Sequence, residues 1–316
     1  MNGPLTARQT FPPDNPTRTV ARMQLGAGVT GTELGNDPGA IRDFAQTIEG
    51  QGFDSMFTND HVVGGHPERL RAGEKVNTYD VPCHEPFVLL SFVAGATTRL
   101  GLTTSIVILP QRQTVLVAKQ AAELDLLCGG RLRLGVGIGR NWMEYEALNE
   151  DFTNRGKRME EQIEVMRRLW TEELVTFDGR WHKLDRIGIN PMPVQRPIPI
   201  WLGTFTGAFD KPIERAARLG DGWLPQFAPT ELTPLLDKFK RFAKAAGRDP
   251  STIGIECTIR VGRDDEPDVW VERALAYRAL GATHLKAMSV GPGFASLQER
   301  LDVFGRWHVA VSAALR

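Results

Sequence analysis

The sequence of 316 residues lacks the motifs of the common metal-dependent and nucleophilic enzymes. It has three cysteines, Cys83, Cys128 and Cys257, and no C-x-x-C pair. It also has no H-E-x-x-H, no G-x-S-x-G elbow and no Walker A loop. These absences argue against a disulfide scaffold, a metal site, a serine hydrolase and a P-loop enzyme. An odd number of scattered cysteines is typical of a reduced protein, and we therefore predict a cytoplasmic location.

Excess charge and long apolar runs are also missing. Lys and Arg together number 38, as do Asp and Glu, so the formal net charge is zero. This balance argues against a nucleic-acid or membrane-surface partner. No apolar run approaches the roughly 20 residues that a membrane span needs. Residues 1–20 are rich in Pro, Thr and Arg without the apolar centre of a signal peptide, and we interpret them as a flexible arm.

What the sequence does contain, from about residue 21, is a regular alternation of apolar strands and helices. The predicted strands are 23–28, 53–58, 100–109, 132–136, 198–203, 222–224, 252–261 and 283–289. Eight strands, each followed by a helix, favour a parallel sheet closed into a (β/α)8 TIM barrel over an open doubly wound sheet. We predict one barrel domain over residues 21–316 with an insertion at about 141–197. Its active site should lie at the carboxyl ends of the strands.

Alternate glycines mark the end of the predicted fourth strand. Gly135, Gly137 and Gly139 leave bare backbone there, which is typical of a close approach to a flat or phosphorylated ligand. The G-x-G-x-x-G dinucleotide fingerprint is excluded because Arg140 stands at its last position. Trp142 follows, where an indole could flank a planar ring or simply pack on the barrel rim.

Two other strand ends carry polar residues. The second strand ends in Asn59, Asp60 and His61, and His61 could donate to a carbonyl-type acceptor, shuttle a proton, or simply cap the strand. Adjacent residues in a strand point to opposite faces, so Asp60 and His61 need not touch. After the fifth strand, residues 203–207 form a Gly-Thr-Phe-Thr-Gly loop before a helix. That loop suits a phosphate, although Thr is also a common helix cap.

Basic residues begin the long helix predicted at 155–170. Arg155 and Arg158 are three residues apart and share a face, which is either a solvated surface or an anion clamp. With neither a metal nor a protein nucleophile indicated, we expect an organic cofactor to carry the chemistry.

Five segments together resemble the bacterial luciferase-like flavin and deazaflavin oxidoreductases, in particular their F420-dependent branch. They are GFDSMFTNDH at 52–61, RLGLTTSIVILPQRQTVLVAKQAAELDLLCGGRLRLGVGIG at 99–139, TNRGKRMEEQIEVMRRLW at 153–170, NPMPVQRPIPIWLG at 190–203 and RAARLGDGWLP at 215–225. The resemblance implies a TIM barrel that holds F420 or, alternatively, FMN. It also implies a small organic substrate and a homodimer.

The resemblance further implies roles for individual residues. Asp60 and His61 would be catalytic beside the cofactor ring, and Ser105-Ile106 would form a non-prolyl cis peptide beneath it. Ile138-Gly139 would line the ring or its ribityl chain, while the 203–206 loop would bind the phosphate with help from Arg158. The predicted cofactor-binding residues are Thr104, Ser105, Ile106, Gly137, Ile138, Gly139, Trp142, Arg158, Gly203, Thr204, Phe205 and Thr206.

The chain departs from the family pattern at two positions. Many relatives have Gly-Gly where this chain has Gly203-Thr204, so its phosphate grip should differ in detail. The F420-dependent sugar-phosphate dehydrogenases have a glutamate proton donor where this chain has Arg140, and Glu144 is a candidate substitute. Three functions follow from these observations. They are F420-dependent hydride transfer, which we favour, FMNH2-dependent monooxygenation with O2, and a non-catalytic flavin-binding barrel.

Overall fold

The strands form a closed parallel barrel. The computed structural model describes residues 22–28, 31–74, 76–205, 209–289 and 293–316. Within these ranges, barrel strands 1 to 8 are Gln24–Gly28, Ser55–Thr58, Gly101–Thr104, Leu132–Gly137, Ile200–Thr204, Gly222–Pro225, Gly254–Val261 and His284–Ser289. Strand 1 pairs with strand 8, and Leu102 of strand 3 pairs with Leu132 of strand 4, so the sheet has no open gap. The predicted (β/α)8 barrel is confirmed.

Helices surround the barrel. The α-helices are Gly31–Leu34, Pro38–Gly50, Pro86–Ala96, Thr114–Leu127, Trp142–Ala147, Arg155–Thr171, Asp210–Leu219, Pro229–Ala245, Pro267–Ala279 and Leu297–Ala314, and the 3-10 turns are Pro67–Arg69, Leu109–Gln111 and Pro250–Thr252. The carboxylate of Asp37 caps its helix by accepting from the backbone N–H groups of Gly39 and Ala40, as the Asp-Pro sequence predicts. No helix in the described ranges combines the length and apolarity that crossing a bilayer requires.

Large aromatic side chains fill the layer between barrel and helices. Trp223 of strand 6 is fully buried and stacks on Phe239 of the helix Pro229–Ala245, with ring centroids 4.6 Å apart. Trp170 is equally buried, and its indole N–H donates to the Ala118 carbonyl at 2.9 Å. Each indole thus buries a large apolar surface while its one polar group stays satisfied.

The predicted strand 100–109 is wrong in its second half. Strand 3 stops at Thr104, and only Val107–Ile108 resumes strand pairing before a 3-10 turn. The last ladder bond to strand 2 is donated by the Ser105 N–H to the Thr58 carbonyl, and the Ile108 N–H donates to the Asp60 carboxylate instead of to a strand. An apolar run alone does not reveal such an interruption.

The region predicted as an insertion contains two distinct parts. The helix Arg155–Thr171 packs against Thr114–Leu127 and Asp210–Leu219, so it belongs to the ring of helices around the barrel. The segment around Trp181 and His182 connects the two strands of an antiparallel hairpin, Val175–Asp178 and Lys183–Ile187. The hairpin escapes sequence reasoning because its strands are short and largely exposed.

Candidate active site

A cavity of about 360 Å³ opens at the carboxyl ends of the barrel strands. The predicted site residues that line it are Asp60, His61, Ser105, Ile106, Gly137, Ile138, Gly139, Gly203, Thr204 and Phe205. Residues far apart in the chain meet here because the ends of parallel strands share one rim of the barrel. The lining residues not predicted to bind the cofactor are Phe57, Asn59, Ile108, Arg140, Leu224, Gln226, Arg260, Lys286 and Met288.

Three predicted cofactor-binding residues lie outside this lining. Thr104 is fully buried, and its hydroxyl donates to the Gly135 carbonyl at 2.7 Å, so it joins strands 3 and 4. Arg158 forms an ion pair with Glu150 beside the long helix. Trp142 is the third, and it packs on the barrel rim instead of flanking the cavity. Thr206, the remaining predicted residue, lies outside the described residues.

Trp142 packs against the loop at 62–84 and does not line the cavity. The guanidinium groups of Arg69 and Arg71 lie 5.1 and 4.7 Å from its ring centroid. Its indole N–H donates to the Glu74 carboxylate at 3.2 Å. Trp142 therefore fixes the loop to the short helix Trp142–Ala147, which corresponds to the rim-packing alternative considered from the sequence.

Ile106 forms the floor of the cavity. The peptide bond between Ser105 and Ile106 is cis, as the family resemblance implied. A Cβ atom added to Gly137 would lie 2.7 Å from Ile106 Cδ1, and one added to Gly203 would lie 2.9 Å from Ile106 Cγ2. These two glycines therefore make room for the Ile106 side chain. Gly135 serves the barrel itself, since its added Cβ would lie 2.0 Å from the Thr104 carbonyl oxygen.

Replacing Gly203 by alanine should displace Ile106 and weaken cofactor binding about tenfold, because overpacking a tight contact costs about 1–3 kcal/mol. Fluorescence titration of the cofactor measures the affinity, and thermal unfolding reports the accompanying loss of stability. Gly95→Ala is the control, since an added Cβ there meets nothing within 4 Å. Equal cofactor affinities in the two variants would show that Ile106 does not contact the bound cofactor.

A buried carboxylate orients His61. Glu144 has no solvent-exposed side-chain surface, and its Oε2 lies 3.2 Å from His61 Nδ1. Its Oε1 accepts the backbone N–H of Val62 at 2.8 Å. A carboxylate can only accept, so Nδ1 carries the proton and Nε2 is left to exchange one. Glu144, a candidate proton donor from the sequence, does not line the cavity and contacts the lining residue His61.

Asp60 is engaged as a structural clamp. Its fully buried carboxylate accepts from the Ile108 N–H at 2.9 Å and from two nitrogens of Arg112 at 2.7 and 3.2 Å. Arg112 also binds Glu85 at 2.9 Å. Although Asp60 borders the cavity, these bonds occupy its oxygens, and the prediction of a catalytic Asp60 does not agree with them. The contacts indicate a positioning role between the ends of strands 2 and 3.

An ion cluster inside the barrel was missed from the sequence. Lys286 is 2% exposed, and its ammonium lies 2.5 Å from Ser105 Oγ and 3.1 Å from the Glu256 carboxylate. Glu256 is also paired with Arg133. Burial by itself would raise the pKa of Glu256, but the two cations outweigh it and hold that pKa at about 2. The available signal was at least one charged residue within each of three mainly apolar strands.

A larger cleft of about 1210 Å³ shares the lining residue Ile138 with the 360 Å³ cavity. Its basic lining residues are Arg155, Lys157, Arg180, Lys211, Arg215, Arg218 and Lys238, and its acidic ones are Asp151, Glu160, Asp210 and Glu214. Seven basic and four acidic residues leave an excess of three positive charges, and we call this surface the cationic cleft. Of the two arginines predicted as an anion clamp, Arg155 lines it and Arg158 does not.

Neither metal nor thiol chemistry is indicated at the cavity. In the described part of the chain, no three His, Cys, Asp or Glu side chains are grouped in a way that could hold a metal ion. Cys83 lies near His61, but burial raises the pKa of its thiol to about 11. The thiol is therefore protonated at neutral pH and is a poor nucleophile.

Comparison with known proteins gives one family and several relatives. A family model described as luciferase-like monooxygenase matches residues 17–305. An uncharacterised protein of Mycobacterium tuberculosis is 39% identical over 210 residues, which are 65% of this chain and 71% of that protein. An F420-dependent glucose-6-phosphate dehydrogenase of Kineococcus radiotolerans is 30% identical over 267 residues, which are 80% of this chain and 72% of that enzyme.

Solved structures show the same fold at lower identity. An F420-dependent secondary alcohol dehydrogenase in complex with an F420-acetone adduct superposes with a TM-score of 0.76 at 19% identity, covering 92% of this chain and 99% of that one. Monooxygenase RslO1 from Streptomyces bottropensis gives a TM-score of 0.72 at 20% identity, covering 92% and 98%. At such identities the likeness extends to the fold alone.

Proposed function

The chain belongs to the luciferase-like monooxygenase family, and on that basis we propose that it is an F420-dependent oxidoreductase. In this proposal it transfers hydride to or from a small organic substrate. The observation that carries the proposal is one cavity with an Ile106 floor and a lining His61 that Glu144 holds from behind, adjoining the cationic cleft. The relative from Kineococcus, which is named as F420-dependent, supports the choice of cofactor.

The residues present fit a ring with an anionic tail. The apolar floor formed by Ile106, which packs against Gly137 and Gly203, suits one face of a flat ring. F420 carries a phosphodiester and a chain of glutamates, whereas FMN carries a single phosphate. A cleft with three excess positive charges is therefore better matched by F420. When bound, F420 supplies a carrier for two electrons and a proton as hydride.

Within this proposal the chain's own residues align the substrate and handle its proton. His61, held by Glu144 through Nδ1, uses Nε2 to donate to a substrate oxygen or to accept its proton. Arg140 lies with its guanidinium 5.0 Å from the Phe205 ring centroid, and both residues border the cavity.

The substrate is proposed only as a class. An alcohol or a carbonyl compound suits His61, because its reaction moves one proton at oxygen together with the hydride. We do not extend the sugar-phosphate activity of the Kineococcus relative to this chain. The proton-donating glutamate implied by the family pattern is replaced by Arg140, and Glu144 contacts His61.

A second candidate is an FMNH2-dependent monooxygenase that uses O2. The family description itself favours it, and the two reactions require the same ring cavity. The third candidate, a non-catalytic flavin-binding barrel, makes no use of the His61–Glu144 pair. Binding and turnover experiments separate the three.

We expect F420 to bind with low-micromolar or tighter affinity and FMN to bind at least roughly tenfold more weakly, as measured by parallel equilibrium titration. The deazaflavin core without phosphate and glutamates should also bind more weakly than F420. Preferential FMN binding would support the monooxygenase. Binding of neither cofactor would refute both enzyme proposals.

Charge reversal tests the cationic cleft within the same titration. Lys157→Glu combined with Lys211→Glu should weaken F420 binding and leave binding of the deazaflavin core nearly unaffected. The matched control is Lys240→Glu with Lys244→Glu, which changes the same number of charges on exposed residues outside the cleft lining. If both double variants lost F420 affinity equally, the loss would come from the overall charge of the protein and not from contacts in the cationic cleft.

A further inference from the structure

The ion cluster of Arg133, Glu256 and Lys286 lies against the cavity floor. Lys286 itself borders the cavity, and its ammonium bonds to Ser105, the residue that precedes Ile106. The same ammonium lies 4.8 Å from the Phe57 ring centroid, another part of the lining. Arg133 and Glu256 do not border the cavity and reach it only through Lys286.

Two basic side chains, Arg133 and Lys286, share one carboxylate, Glu256. Burial lowers the pKa of Lys286 and its pair with Glu256 opposes that effect, so with Lys286 protonated the cluster carries one uncompensated positive charge. Lys286 and Glu256 are each 2% exposed, and water therefore screens this charge weakly. Asp60, the acidic residue that borders the cavity, is paired with Arg112.

A stabilising role alone accounts poorly for this arrangement. Burying ions costs solvation free energy, and apolar side chains of similar volume are often at least as stabilising in a core. A fixed charge beside a cavity nevertheless has a definite effect on any ligand whose charge changes there. Two-electron reduction by hydride adds two electrons and one proton, so it converts a neutral ring into an anion.

We infer that Lys286, supported by Arg133 and Glu256, positions a positive charge that favours the reduced ring over the oxidised ring in this cavity. The inference rests on the proposed function, because it requires a deazaflavin or flavin to bind here. It adds a role for residues on strands 4, 7 and 8 that contact no part of the His61–Glu144 pair. Its consequence is a raised midpoint potential of the bound cofactor.

The test measures the midpoint potential of bound F420 and its affinity in both redox states, by anaerobic titration with reference dyes. Lys286→Met removes the uncompensated charge, and the ratio of reduced to oxidised affinity should fall about tenfold. For a two-electron couple this ratio corresponds to a potential lower by about 30 mV. In the double variant Lys286→Met, Glu256→Gln, Arg133 is left as a single positive charge. The midpoint potential of bound F420 should therefore return toward the wild-type value.

The double variant separates charge from packing. A purely structural role predicts that two core substitutions perturb the site more than one, whereas the charge role predicts partial restoration. Lys119→Met on an outer helix is the control and should leave the potential unchanged. If Lys286→Met does not fold, Arg133→Met removes the same charge without touching the lining and must also lower the potential.

Failure of this inference is distinct from failure of the proposed function. If wild-type protein binds neither F420 nor FMN, the proposed function fails and the inference falls with it. If the cofactor binds normally but Lys286→Met leaves its potential unchanged, the inference alone is overturned. The same holds if the double variant lowers the potential further than Lys286→Met does.

Discussion

His61→Ala lowers turnover by about 10²–10⁴-fold, the range expected for loss of a positioned acid–base group. Its affinity for oxidised cofactor changes far less, because the floor and the cationic cleft remain in place. Turnover is measured with the alcohol or carbonyl compound on which the wild type is most active, and affinity by fluorescence titration. If turnover persists, His61 has no part in the reaction. If affinity is lost to the same extent as turnover, His61 binds the cofactor instead.

Glu144→Gln provides the companion measurement for the same site. The side-chain amide that this substitution introduces can donate to Nδ1 of His61 and favour the other imidazole tautomer. Turnover and its pH profile should therefore both change, although the side-chain shape is preserved. Glu146→Gln is the matched control, since Glu146 lies on the same helix but pairs with Arg69 at the surface. An unchanged pH profile in Glu144→Gln would leave Glu144 with only a packing role.

Asp60→Ala destabilises the fold by about 3–5 kcal/mol, because Arg112 loses its fully buried partner and keeps only its pair with the partly exposed Glu85. The carboxylate is fully buried, and its removal takes away the acceptor of the Ile108 N–H and one of the two ion-pair partners of Arg112. Chemical denaturation measures the free energy of unfolding. Asp43→Ala is the control, since its pair with Arg42 is exposed and should contribute less than about 1 kcal/mol.

Comparing Asp60→Ala with Asp60→Asn distinguishes a positioning role of Asp60 from a catalytic one. A positioning role predicts a large loss of stability in Asp60→Ala and a turnover that recovers in Asp60→Asn, whose oxygen can still accept from Ile108. A catalytic role, as predicted from the sequence, requires normal stability together with a turnover as low as that of His61→Ala. The buried bonds to Arg112 make the first outcome the expected one.

The barrel was predictable because each strand is a short apolar run and its helix carries local signals. Asp37-Pro38 begins a helix and Gly129-Gly130 ends one, and both signals depend only on neighbouring residues. The strand ends then follow from topology, so His61 and the 105–106 segment could be placed at one rim. The predicted homodimer has no such local basis and stays a prediction.

Partners distant in the chain could not be predicted. The bond between His61 and Glu144 joins residues 83 positions apart, and it depends on how the short helix Trp142–Ala147 docks. Trp142 was misplaced for the same reason, since its contacts come from the loop at 62–84. Glu256 and Lys286 were passed over because sequence pattern does not reveal which face of a strand points into a closed barrel.

The short helix Trp142–Ala147 has two neighbours at once. Trp142 and Glu146 bind the arginines of the 62–84 loop, while Glu144 holds His61. Six residues therefore connect a long surface loop to the acid–base pair. An engineer who exchanged the loop for another would also move the carboxylate that sets the histidine tautomer. Loop grafts in this barrel should accordingly carry the helix with them as one exchangeable unit.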